Sequence, residues 1–170
     1  MDNLATFFDS PLFSIVRGIS TSIIIITTIA LVWGTFKGFI PVLWRLGKSL
    51  NKRKIALYAE SNATSLRNLL QDSKFIKRKN IETISKAEIK KGAENSMMII
   101  YYPDFKDHML EILSHKKDSD SLIIYAPQSE GRIDQEIMDK VCNERNTIIT
   151  NMRGRLLNDV ITAMITTKYA

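Results

Sequence analysis

The spacing of apolar and polar positions divides the chain into three stretches with different periods. Residues 19–36, ISTSIIIITTIALVWGTF, contain no charged side chain. As a helix, 18 residues reach about 27 Å, close to the roughly 30 Å hydrocarbon core of a bilayer. Val16 and the apolar run after Lys37 allow the helix to extend, with the flanking charges snorkelling. A buried helix of a soluble protein is usually shorter and carries a polar face. A cleaved signal has its basic residues first and small residues last, whereas here Asp2 and Asp9 come first and Trp33 and Phe36 end the run. The pattern therefore predicts a membrane-spanning helix within residues 1–38.

The second stretch, residues 39–54, is apolar and basic by turns. Pro41 predicts a break or kink. Beyond it Val42, Leu43, Leu46 and Leu50 recur at helical spacing, with Arg45, Lys48 and Lys52 between them. Two readings remain open: an amphipathic helix on an anionic leaflet, or a plain basic stop-transfer collar. Either orients the chain. Lys37, Arg45, Lys48, Lys52, Arg53 and Lys54 follow the apolar run, so the positive-inside rule sets the N-terminus outside and the C-terminal part in the cytoplasm. Arg17 alone opposes this. Trp33 and Trp44 suit an aromatic interface belt.

In the third stretch, residues 55–170, short apolar runs alternate with helical periods. Strands are expected at KIALYAE, NIETIS, SMMIIYYP, SLIIYAP and NTIIT. Helices are expected at NATSLRNLLQDSKF (with Asn62 as N-cap), KAEIKKGAEN, FKDHMLEILSHKK, GRIDQEIMDKVCNER and RLLNDVITAMITTKY. The near-continuous apolar runs SMMIIYYP and SLIIYAP fit central strands buried on both faces. Five strands alternating with five helices imply an α/β Rossmann or flavodoxin-like domain of three layers, with a parallel sheet in the order 2-1-3-4-5.

Composition changes this picture in two ways. The formal net charge is +6, yet residues 55–170 hold 17 Lys and Arg against 16 Asp and Glu. The excess sits in the collar, which argues against a duplex-DNA binder. Cys142 is the single cysteine, so no intrachain disulfide forms, and its apolar helical context predicts a buried packing role. His108 and His115 have no Cys or His at ligand spacing, and no metal or cofactor is expected.

In such a sheet, ligands bind beyond the carboxyl ends of the strands, near the switch point between strands 1 and 3. The sequence puts Glu60, Ser61 and Asn62 after strand 1, and Pro103 and Asp104 after strand 3. Gln128, Ser129, Glu130, Gly131 and Arg132 follow strand 4; Asn151, Arg153, Gly154 and Arg155 follow strand 5. Arg132, Arg153 and Arg155 suit phosphate, helped by glycine and helix N-termini. The alternative is that Arg153 and Arg155 pair with Asp134, Glu136 or Asp159.

A phosphoacceptor receiver domain fits poorly. Asp104 is near the right place, but Glu60 stands alone where an acidic pair should hold magnesium, Ala126 replaces a hydroxyl residue and Asn151 replaces a lysine. A nucleotide hydrolase of the Toll/interleukin-receptor type has Glu60 and Glu130 as candidates but no glycine-rich phosphate loop. The arrangement of span, collar and α/β domain resembles the small membrane effectors of bacterial anti-phage nucleotide-signalling systems, of CBASS, CRISPR-linked and Hailong type. That resemblance is architectural and carries no motif. It implies a non-enzymatic, oligomeric protein of the bacterial inner membrane, controlled by a nucleotide or oligonucleotide messenger. At 100° per residue, Ser20, Thr21, Thr27, Thr28 and Thr35 share about a third of the helix circumference, a stripe that joins helices or lines a pore. One span encloses no channel, so a homo-oligomer is expected, with a tetramer favoured. A membrane-tethered scaffold is the interaction-protein alternative.

Overall fold

The computed structural model describes residues 11–167. Asp2 and Asp9, used above for orientation, lie outside the described residues, as do Lys168 and Tyr169 of the expected last helix and the Leu50 side chain. The chain divides into two compact units, Met1–Leu43 and Trp44–Ala170.

Helix α1, Pro11–Lys52, runs through both stretches assigned to the span and the collar. Within it Phe13–Lys48 is long and apolar enough to cross a membrane, and its most apolar window is not buried at all. The break expected at Pro41 is absent, because the helix continues through it. A proline interrupts one turn of backbone bonding, and the helix resumes beyond it to Lys52. Trp33 lies 5.9 Å below the Lys37 ammonium, which covers its ring.

The second unit is built on five parallel strands: β1 Ile55–Tyr58, β2 Ile81–Ile84, β3 Met97–Tyr101, β4 Ser121–Tyr125 and β5 Thr147–Thr150, in the order β2-β1-β3-β4-β5. Ile55 pairs with both Ile81 and Met97, and Met97 with Ser121. From β1 the chain moves outward to β2, then crosses back and continues from β3 to β5. Right-handed crossovers therefore set α2 (Ala63–Asp72) and α7 (Arg153–Thr166) on one face. The other face takes α3 (Ile89–Gly92), α4 (Tyr102–Phe105), α5 (Met109–His115) and α6 (Gln135–Asn143).

Side chains alternate across the strands, giving two cores. Leu57, Ile99 and Ile123 pack with Leu66, Leu70, Leu156 and Val160. Tyr58, Ile100 and Ile124 pack with Phe105, Met109, Ile112 and Val141. Every residue of β3 and β4 is buried, in line with their near-continuous apolar runs.

The structure corrects two expectations here. Cys142 is exposed, since Ile137 and Val141 supply the inward face of α6 and the next position turns outward. Arg53, counted in the collar, is fully buried. Its guanidinium donates to the Thr167 hydroxyl at 2.6 Å and to the Thr167 carbonyl at 3.2 Å, so it closes the fold.

Candidate functional site

The residues singled out at the carboxyl edge fall into two groups. Around the β1–β3 switch point, Asp104 is the centre. One carboxylate oxygen accepts the Glu60 and Ser61 backbone N–H groups at 2.7 and 2.9 Å, and the other accepts the Ser61 hydroxyl at 2.7 Å. Paired N–H groups in a turn form an anion site, and here the chain's own carboxylate fills it. Glu60 is likewise engaged, by Lys86 at 3.1 Å across the β2 loop. Asn62 occupies the N-cap position of α2 without a side-chain capping bond.

Tyr101, which ends β3, and Tyr102, which opens α4, tie this region to the loop after β4. The Tyr101 hydroxyl donates to the Glu130 carboxylate. Burial, and then that carboxylate, push the Tyr101 hydroxyl up to about 12. The Tyr102 hydroxyl donates to Asp134 at 3.2 Å and accepts the Asp134 backbone N–H at 3.1 Å. Burial raises Tyr102 as well, before the counter-effect of the Asp134 backbone bond. Sequence reasoning missed both tyrosines as site-shaping residues. The signal was present: YYP at the end of a buried strand places two hydroxyls where a ligand edge is expected.

The second group surrounds a cleft of ≈ 360 Å³ between the ends of β4 and β5, lined among others by Gln128, Arg132 and Asn151 and by Ile133, Met138 and Ile149. Gln128, Ser129 and Glu130 form one exposed turn. Gly131 follows with φ +105, a left-handed conformation that favours glycine and turns the chain so that Arg132 comes to the cleft. Arg132 is exposed and has no hydrogen-bond or carboxylate partner among the described residues.

The chain matches no protein-family model, no curated protein and no solved structure.

The three arginines expected to act together are directed to different partners. Arg153 donates to the Ser65 carbonyl at 3.1 Å and to the Ser65 hydroxyl at 2.8 Å, bridging α7 to α2. Arg155 turns along its own helix to Asp159 at 3.7 Å, the pairing weighed as the alternative. Only Arg132 of the three is left facing the cleft. In α1, the hydroxyls of Thr21, Thr28 and Thr35 donate to carbonyls one turn earlier at 2.8–2.9 Å. Their protons are committed, while their oxygens stay exposed with Ser20 and Thr27 on the helix surface.

Proposed function

We propose that this chain is a non-enzymatic, membrane-anchored effector whose α/β domain binds a nucleotide or oligonucleotide signal in the β4–β5 cleft, and whose α1 helices associate in a homo-oligomer that disrupts or conducts across a bacterial inner membrane in anti-phage defence. The observation that carries the reading is Arg132. It is an unengaged cation at a cleft lined by polar groups, Gln128 and Asn151 among them, and by apolar Ile133, Met138 and Ile149. A phosphate needs the first and a base stacks on the second. The candidate acids of a hydrolase are both spent, Glu60 on Lys86 and Glu130 on Tyr101, which favours a sensor over an enzyme. The exposed hydroxyl stripe of α1 supplies a polar seam for helix association.

Calorimetric titration of the full chain in mild detergent with a panel of cyclic and linear oligonucleotides tests this. A charge-assisted bond is worth about 1.5–3 kcal/mol, so Arg132→Ala is expected to weaken binding about 10- to 100-fold with an unchanged melting temperature. Arg153→Ala, which cuts the α7–α2 bridge, lowers the melting temperature instead. Absence of binding by any panel member, or a wild-type isotherm for Arg132→Ala, overturns the site. A monomer by native mass spectrometry with and without ligand overturns the oligomer.

A further inference from the structure

The loop between α2 and β2 reads SKFIKRKN, residues 73–80. It places four basic side chains, Lys74, Lys77, Arg78 and Lys79, around Phe75. None of the four meets a carboxylate among the described residues. Phe75 is 56% exposed while its neighbour Ile76 is 3% exposed and packs into the core. The outward phenyl is therefore presented by a loop anchored from beneath.

That presentation is built by specific bonds. Lys74 adopts φ 58, and its N–H donates to the Gln71 carbonyl at 2.8 Å. The Ser73 hydroxyl donates to the Leu70 carbonyl at 2.7 Å and accepts the Phe75 N–H at 3.3 Å. At the other end the Lys77 ammonium donates to the Asn51 side-chain oxygen at 2.6 Å, and the Asn80 amide to the Asn51 carbonyl at 3.3 Å. Asn51 belongs to the last turn of α1, so the loop is fixed where the anchoring helix ends, beside exposed Lys52 and Lys54.

We propose that this loop docks on the anionic lipid surface next to the anchor, with Phe75 at the headgroup–acyl boundary and the four cations on lipid phosphates. An aromatic ring ringed by Lys and Arg is the chemistry that partitions to such an interface. The proposal rests on α1 as a membrane anchor and is independent of the nucleotide reading.

The full chain, with Cys142→Ser, is reconstituted in nanodiscs of phosphatidylcholine alone or mixed with phosphatidylglycerol. Single cysteines at Phe75→Cys, Ile25→Cys and Glu136→Cys carry a polarity-sensitive fluorophore, and parallel discs carry as quencher a lipid spin-labelled in the headgroup region, for Phe75→Cys and Glu136→Cys, or deep in the acyl chain, for Ile25→Cys. Quenching is expected at Phe75→Cys in phosphatidylglycerol discs, with none at Glu136→Cys. Lys74→Gln or Lys79→Gln lowers surface occupancy by about five-fold each. In the unlabelled wild-type chain, amides of residues 73–80 exchange more slowly in the anionic discs. Three results overturn the proposal: no quenching at Phe75→Cys while Ile25→Cys is quenched, equal quenching without anionic lipid, or protection of the loop by added single-stranded oligonucleotide but not by lipid. If Ile25→Cys is also unquenched, the span falls and the docking proposal with it.

Discussion

Two runs of isoleucine in this molecule meet opposite surroundings. Ile23, Ile24, Ile25 and Ile26 in α1 are between 53% and 67% exposed, whereas Ile99, Ile100, Ile123 and Ile124 in β3 and β4 are 0% exposed. The side chains are identical, so the difference lies in what covers them. Strands β3 and β4 have helices on both faces. In α1, from Ile15 to Trp44, 17 large apolar side chains stand exposed, against four in the rest of the described chain. A continuous apolar surface of that extent requires a lipid or protein cover. The lesson is that the α/β unit supplies its own cover for its isoleucines, whereas α1 leaves its apolar surface to be covered from outside the chain.

The sharpest way to break the comparison is a pair of substitutions. Ile124→Ala removes core volume and is expected to destabilise the domain by about 2–5 kcal/mol, read by urea unfolding of the full chain in detergent, with membrane partition unchanged. Ile25→Lys places a charge in the apolar helix at a cost of about 2.5–3.5 kcal/mol of insertion. It should move the chain out of the membrane fraction while the unfolding midpoint of the domain stays put. If either substitution moves both readouts, the two units are not independent.

A smaller effect sharpens the domain's side of the comparison. Gly92 lies in α3 against Tyr58, and a β-carbon there would run into the tyrosine hydroxyl and ring. That hydroxyl is already bonded to the Ile89 carbonyl at 3.0 Å. Gly92→Ala is expected to cost about 1–3 kcal/mol, and adding Tyr58→Phe should return part of it. Alanine substitution at Gly34, where a β-carbon meets nothing, should leave the domain's midpoint unchanged.

The fold was legible because strand burial wrote itself into the sequence. MMIIY and SLIIY are apolar but for Ser121, and short runs of this kind between turn residues suit strands covered on both faces. Helix lengths were less legible. KAEIKKGAEN and FKDHMLEILSHKK both break into a tight turn and a short helix, because the sheet needs only a few inward residues from each. The charged periphery was least legible. Arg153 finds its partner 88 residues away at Ser65, and Asp104 fills the nest at Glu60 and Ser61 from 44 residues away. No local pattern encodes such pairings, so three arginines close in sequence read as one cluster.

The smallest expected effect is at the carboxyl edge. The Tyr101 hydroxyl is raised to about 12 from the 10.0 of an unperturbed tyrosine. Its folded value lies above the unfolded one, so its contribution to stability is whole below about pH 10 and is lost as pH climbs toward 12. Phenolate absorbance should show Tyr101 ionising late in the titration, and Tyr101→Phe should remove that component. The same variant loses the hydrogen bond to Glu130 at neutral pH.

The bond from Arg53 to Thr167 joins positions 114 residues apart. A ribosome delivers Arg53 long before Thr167, so α1 is synthesised, and in a membrane protein inserted, while the guanidinium still lacks this acceptor. Within the second unit, the joint between the start of β1 and the end of α7 thus waits for a residue made late in synthesis. A nascent chain halted before Thr167 carries a finished helix and all five strands, yet its two ends are unlatched.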